Sequence, residues 1–389
     1  MTDGNLVVQQ LFGIGRDEFV DQYYGKQFIH FASDETLALT HSLPSLTDFA
    51  SLISLAAINS TNVQLTAFGK PIRTPLLPNG MLDLQAIWTQ FYDGTSIVLN
   101  NLHRVDRYTK KICNALFTTL GHKLGANAYL TPPGSAAFST HYDTHDVVVV
   151  QVAGEKQWSL FERPPEVPPS YHERLKLTEA ILEANPLADI VMKAGSVMYI
   201  PRGTPHRAQT EAGTSLHVTF GLDPIDLATV AKVAVDMLRN EDQLFREHLS
   251  PDLFLNPDFA PSDEVLSKLS ETLSNSAFMA KVMQVVRKHA IQEELLPVIP
   301  NFISPGTKQP LLRWRSGVYL EVRELSDTSL LLTNGVKATE LVGEEMQIFR
   351  SLHAATRAGA ECPEGVSELA YAQVVKRLSA LGLVEPVDV

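Results

Sequence analysis

The spacing of apolar and polar residues changes character twice along this chain. Up to about residue 125 it is mixed. Residues 17–24 and 46–57 read as helices, and residues 96–102 read as a strand with Asn100-Asn101 near its end. Residues 108–120 place Ile112, Leu116 and Leu120 at helical spacing, which predicts a helix packed on a sheet. From 126 to 222 the pattern becomes short β runs punctuated by Pro and Gly, as in an antiparallel barrel or sandwich. Residues 146–161 form a long strand or a strand pair broken at Gly154. Residues 195–206 read as a strand followed by a tight turn. Residues 164–189 interrupt the β pattern with a Pro-rich insertion and a short helix at about 177–184.

Asp223-Pro224 closes the β region and opens a helical one. Helices are predicted at 227–238, 262–273 and 277–296, and amphipathic helices appended in this way suit a dimer interface or packing on their own chain. Pro297, Pro300, Pro305 and Pro310 mark a linker. Beyond it, 317–323 and 329–332 are strand-like, while 343–358 and 365–381 are helical, an order that resembles a small winged-helix unit. The expected organisation is therefore α+β: a β-rich domain with N-terminal α/β elements over 1–222, a helical region over 223–300, and a winged-helix-like domain over 301–389.

Composition narrows this picture. A chain of 389 residues with 44% hydrophobic and 20% charged residues has the balance of a folded globular protein. The net charge of −12 argues against a general nucleic-acid surface and leaves room for a basic partner. Charges over 301–389 nearly cancel, which favours a structural cap over a DNA-binding module there. Two cysteines, Cys113 and Cys362, make neither a disulfide framework nor a zinc module. No leader is visible at the N-terminus, and no apolar run approaches the roughly 20 residues of a membrane span, so the expectation is a cytoplasmic protein with no membrane association.

The candidate chemistry lies in the β region. His141-Tyr142-Asp143 precedes a β run, and His206 follows a Gly-strand-Pro-x-Gly-x-Pro element. Two histidines and a carboxylate form the ligand set of non-haem Fe(II) oxygenases, which leaves coordination positions open. Strand side chains alternate faces, so His141 and Asp143 share one face while Tyr142 takes the other. A lone His-x-Asp is common as a surface pair; the second histidine element at a suitable distance raises it to a metal site. His145 shares the parity of His141 and Asp143 and is expected to stay outside the ligand set, since a fourth ligand would crowd a cosubstrate. Zinc accepts the same ligands, and the ligand set alone does not choose between the two metals. Lys156 supports iron: a lysine facing a barrel interior needs an anion, and the distal carboxylate of 2-oxoglutarate is one.

Five pieces of sequence carry a family resemblance: Asn127-x-Tyr129-Leu-Thr-Pro-Pro, His141-Tyr-Asp143, Gly154-x-Lys156-x-Trp158, Pro201-Arg-Gly-x-x-His206 and Ser215-x-His217-Val-Thr. The chain resembles the JmjC-type 2-oxoglutarate oxygenases of the cupin-like ribosomal oxygenase family, most strongly over about 120–222. The resemblance implies a double-stranded β-helix (jelly-roll) core and a homodimer built on the helical region. It implies Fe(II) on His141, Asp143 and His206, and Lys156 on 2-oxoglutarate, with O2 as second cosubstrate. Asn127, Tyr129 and Ser215 match positions that contact the substrate residue. The implied reaction is hydroxylation of an Arg or His side chain in a basic ribosomal protein. Other readings stay open: a peptide-tailoring hydroxylase of a natural-product precursor, a metal-binding cupin regulator, and a divalent-metal isomerase that would have no need of Lys156.

Overall fold

A computed structural model describes residues 3–56, 62–67, 69–164, 185–248, 261–294, 312–314, 320–333, 338–354 and 365–386. The chain divides after Pro224 into two compact units, 1–224 and 225–389.

The first unit begins with α1 (Asp3–Phe12), α2 (Arg16–Gln22), β1 (Ile29–Ala32), α3 (Asp34–Thr40), α4 (Leu46–Ala56), β2 (Val63–Ala67) and β3 (Lys70–Ile72). It continues through α5 (Leu84–Tyr92), β4 (Ser96–Leu99), α6 (Arg107–Leu120), β5 (Lys123–Thr131), β6 (Asp146–Ala153) and β7 (Glu155–Leu160). It closes with β8 (Ala188–Lys193), β9 (Ser196–Ile200), β10 (His206–Gln209) and β11 (Ser215–Asp223). These strands make an eight-stranded sheet ordered β1-β9-β6-β11-β5-β4-β2-β3 and a three-stranded sheet ordered β10-β7-β8. Neighbouring strands in both are antiparallel.

The valine run of β6 shows how the layers form. Val148 and Val150 join Val8, Leu11 and Phe12 of α1 and Leu116 of α6 in the core behind the large sheet. Val147 and Val149 point the other way, into a second cluster with Trp158, Leu160, Met192 and Met198 between the sheets. A strand covered on both faces reads as an unbroken apolar run, because neither of its alternating faces meets water. The β6–β7 break falls at Gly154, whose φ of +65° suits glycine; a Cβ there would sit 2.1 Å from the Thr214 carbonyl oxygen.

Several expectations shift in detail. The strand expected over 96–102 stops at Leu99, because Asn101 turns the chain through φ 57° into a short 3-10 helix, Leu102–Arg104. Asparagine tolerates this left-handed region better than most residues. Helix α6 starts where the Asp106 carboxylate accepts from Thr109 N and stops at Gly121, at φ 74°. The sequence reading missed β1, β2 and β3, strands of three to five residues: β1 is held by β9 and β2 by β4, while β3 is the edge strand of a hairpin with β2. The insertion helix expected at 177–184 lies outside the described residues.

In the second unit α7 (Leu227–Glu241), α8 (Asp263–Ser274) and α9 (Ser276–Glu294) follow one another. Ala234, Leu238, Phe278, Val282 and Val286 form a core shared by α7 and α9. Asp226 and Ser262 cap α7 and α8 through the amides of Thr229 and Val265. The linker expected at 297–310 lies outside the described residues. Then come β12 (Leu312–Trp314), β13 (Glu321–Ser326), β14 (Ser329–Thr333), β15 (Ala338–Val342), α10 (Glu344–Ala354), α11 (Glu368–Ala380) and β16 (Val384–Pro386). A β13-β14-β15 meander and a β12-β16 pair enclose a separate apolar core with α10 and α11, centred on Leu332, Ile348, Val374 and Leu378.

Candidate metal centre and adjoining cavity

His141, Asp143 and His206 come together at the mouth of the space between the two sheets. One ligand atom from each lies within 4.8 Å of the others, and the Nε2 of His206 is 3.8 Å from Oδ2 of Asp143. Backbone pairing makes the meeting. His141 and His206 form an isolated antiparallel bridge, with His206 N donating to His141 O at 2.7 Å and His141 N to His206 O at 3.0 Å. The ligand pair therefore lies in the segment before β6 and not within a continuous strand.

The turn that delivers His206 is held at two more points. Gly203 N donates to the Asp143 carbonyl at 2.9 Å. Arg202 N donates to Oδ1 of Asp146 at 2.8 Å, while Oδ2 of Asp146 accepts from the Tyr199 hydroxyl at 2.7 Å.

Both imidazoles are oriented for metal binding. Nδ1 of His141 contacts the Ser139 carbonyl at 2.8 Å, and Nδ1 of His206 contacts the Thr204 carbonyl at 3.0 Å. A carbonyl only accepts, so each Nδ1 carries the proton and each Nε2 presents a lone pair. Burial, followed by the neighbouring His141, lowers the pKa of His206, and neutral imidazole is the form that binds metal. The donor set therefore fits a divalent ion with open positions.

From the triad a cavity of about 320 Å³ runs inward between the sheets. Lys156 on β7 lines it and is 1% exposed. Its ammonium donates to Oγ1 of Thr131 at 2.9 Å, and among the described residues no carboxylate pairs with it. Burial lowers its pKa to about 7.

Of the three residues expected to contact substrate, Tyr129 lines the cavity and Asn127 and Ser215 do not. Asn127 Oδ1 accepts from Asn101 N at 3.0 Å, and its side chain also hydrogen-bonds Tyr129. Burial, then the Asp143 charge, raises the Tyr129 phenol to about 12. Ser215 is fully buried opposite Thr131, where its hydroxyl accepts from Gln151 Nε2 at 2.8 Å. Strand parity was read correctly for both, but Asn127 is engaged by the Asn101 turn and Ser215 by Gln151. His145 packs its ring over Gly221, where a Cβ would lie 2.8 Å from Nε2, and it falls outside the ligand cluster.

The sequence reading assigned no role to Thr131, Trp158 or His217. Each shares strand parity with a residue it did single out: Tyr129, Lys156 and Ser215 respectively. The β2–β3 hairpin, which contributes Gln64, Gly69 and Pro71 to the cavity wall, carried no sequence signal at all.

Comparison with known proteins agrees with this geometry. Residues 99–230 match the family described as JmjC domain. The chain carries a JmjC domain. Bifunctional lysine-specific demethylase and histidyl-hydroxylase NO66 of Drosophila mojavensis is 36% identical over 169 residues, which cover 42% of this chain and 18% of that protein. The Drosophila melanogaster protein of the same name is 35% identical over 164 residues, covering 42% of this chain and 25% of that protein. The chain thus spans about a fifth to a quarter of the length of these curated relatives. Among solved structures, E. coli ycfD superposes with a TM-score of 0.58 at 15% identity, covering 96% of this chain and 98% of that one. The structure described as YcfD, a ribosomal oxygenase from Escherichia coli, in complex with cobalt and 2-oxoglutarate gives 0.52, also at 15% identity, with coverage of 96% and 98%. At that identity the likeness establishes a shared JmjC/cupin fold, mixed α/β with antiparallel sheets.

Proposed function

We propose that this chain is an Fe(II)- and 2-oxoglutarate-dependent oxygenase that hydroxylates an Arg or His side chain of a ribosomal protein. One observation carries the reading: a cavity lined by a His-Asp-His triad also holds a buried lysine that, among the described residues, has no carboxylate partner. A molecule that chelates metal at one end and carries an anion at the other fits both requirements. Fe(II) held by His141, Asp143 and His206 would supply open coordination positions for 2-oxoglutarate and O2, whose conversion to succinate and CO2 drives hydroxylation.

The chain's own residues do the rest. Lys156 and Thr131 supply a charge-assisted anchor for the distal carboxylate. The Ser139 and Thr204 carbonyls hold the imidazole tautomers. Val147, Val149 and Trp158 wall the cavity with apolar surface and limit water around the reacting end. Tyr129, Gln64 and Pro71 line the same cavity from the large sheet and its β2–β3 edge. A substrate side chain arriving beside the triad would meet this wall.

Relatives and likenesses support the substrate class. The NO66 proteins are named histidyl-hydroxylases and YcfD a ribosomal oxygenase. The net charge of −12 suits a basic protein substrate. The same reading extends to the domains: a catalytic domain over 1–222, dimerisation through the helices of 223–300, and a winged-helix-like cap over 301–389, in the cytoplasm.

The test has two parts. The purified chain with Fe(II) should form succinate from 2-oxoglutarate, and Asp143→Ala should abolish both turnover and iron retention. Mass spectrometry of ribosomal proteins from cells with and without the gene should show one gene-dependent oxygen on an Arg or His. Full turnover in Asp143→Ala would remove the triad. Succinate formation without any ribosomal difference would move the search to peptide substrates.

A further inference from the structure

The two histidines of the triad are delivered differently. His206 arrives on a turn tied by hydrogen bonds, from Gly203 N to the Asp143 carbonyl and from Arg202 N to the Asp146 carboxylate. His141 arrives on residues 136–140, and among the described residues no hydrogen bond from that stretch reaches another element. The bond that orients its ring, between Nδ1 and the Ser139 carbonyl at 2.8 Å, is local. It fixes the imidazole only as firmly as Ser139 itself is held, and Ser139 is exposed. Packing must therefore place this stretch.

The group packed against it is Gly69. The register Ala67↔Lys70 puts Gly69 in the two-residue connection of the β2–β3 hairpin. β2 pairs with β4 from Val63 to Thr66, so the hairpin is carried on the large sheet. Gly69 has φ +76°, and a Cβ on it would lie 2.7 Å from Ser139 N, 3.2 Å from Ser139 Cβ and 3.3 Å from the Phe138 carbonyl carbon. Two of these three atoms are backbone, which cannot rotate aside as a side chain can. Gly69, Phe138, Ser139 and His141 line one cavity wall in succession, and the Phe138 ring lies 5.5 Å from that of His141. Glycine meets both requirements at once, a left-handed φ and the close approach of two backbones. Gly80 provides the contrast: its φ is +83°, yet a Cβ there would meet nothing within 4 Å.

We propose that Gly69 is a positioning residue for the metal centre. The bare hairpin tip seats the 138–139 backbone, and through the Ser139 carbonyl it sets the tautomer of His141 and the direction of its Nε2. This rests on the proposed function, in which His141, Asp143 and His206 bind the metal. A side chain at Gly69 pushes Phe138 and Ser139 off their seat, swings the carbonyl and releases the ring. The β2–β3 hairpin is thereby part of the metal site although it supplies no ligand.

The experiment compares the full chain with Gly69→Ala, Gly69→Asn and Gly80→Ala. It measures Co(II) affinity, the visible absorption of bound Co(II), and the Tm of the metal-free protein. Gly69→Ala is expected to weaken Co(II) binding by about 10-fold to 100-fold and to change the shape of the absorption band. Gly80→Ala bears the same backbone strain without the contact, so its Tm should fall while affinity and spectrum stay as in wild type. Asparagine tolerates the left-handed region better than alanine and still carries a Cβ. Gly69→Asn should therefore have a higher Tm than Gly69→Ala, with the weakened affinity and altered band retained; it also carries the comparison if Gly69→Ala does not fold. Wild-type affinity and spectrum in Gly69→Ala, whatever its Tm, would mean that the hairpin moves aside, and would overturn the proposal. Wild-type affinity in Gly69→Asn would place the whole effect in backbone strain and overturn it equally. In both cases wild type still binds Co(II) and the proposed function stands. If wild type takes up no Co(II), the triad assignment and this inference fall together.

Discussion

Replacing Lys156 by Met should stabilise the fold while removing cosubstrate binding. In the absence of an anion the ammonium is buried at 1% exposure with one neutral partner, the Thr131 hydroxyl. Burial lowers its pKa from 10.5 to about 7. At about 1.4 kcal/mol per tenfold this corresponds to a penalty on the order of 5 kcal/mol when the group is held charged. Methionine fills a similar volume and carries no charge; leaving the Thr131 hydroxyl unpaired returns about 1 kcal/mol. Buried charges replaced by apolar residues stabilise by about 1–4 kcal/mol, which brackets the expected net gain. The pH dependence identifies the cause. Because the folded pKa lies below the unfolded one, the unfolded chain binds more protons between pH 7 and 10.5, so wild-type stability rises through that window. Urea titrations at pH 6, 8 and 10 should therefore show the variant ahead by a few kcal/mol at pH 6, with the gap closing towards pH 10. Parallel stability curves for the two proteins would refute the reasoning, since they would mean that the ammonium is solvated in the native state.

Three further outcomes follow from the same geometry. Above pH 7 cosubstrate binding should take up a proton at Lys156 and weaken towards tenfold per pH unit; calorimetry in buffers of different ionisation heat reads the proton, and a pH-independent affinity would place the anion elsewhere. Asp146→Asn puts an amide where Arg202 N and the Tyr199 hydroxyl both donate, so the turn before His206 should loosen and metal affinity should fall about 10-fold or more; Co(II) titration with its visible spectrum checks this, and unchanged affinity would show that the turn holds without the carboxylate. Gly154→Ala must adopt φ +65° and displace the Thr214 carbonyl, so it should cost more than about 2 kcal/mol, visible as a lowered Tm; a Tm equal to wild type would mean that the β6–β7 turn relaxes freely.

What could be read from the sequence was what has a local cause. The valine run of β6, the break at Gly154 and the helix at Arg107–Leu120 are written in residue spacing; the strand parity expected of His141 and Asp143 is not what brings them together, since both precede β6 and His141 makes only an isolated bridge to His206. The metal ligands were legible because their chemistry is rare and the turn glycine and prolines flank them. Lys156 was legible because a lysine inside a β-barrel pattern is anomalous. Tertiary structure decided which polar residues remain available. Asn127 and Ser215 carry the right parity, yet Asn101 and Gln151, remote in sequence, take up their hydrogen-bonding groups. Trp158 and His217 belong to motifs that carry the resemblance, yet only the folded chain shows that both line the cavity. Spacing determines which face a side chain takes; whether its hydrogen bonds are already made depends on neighbours that only the folded chain brings within 3 Å.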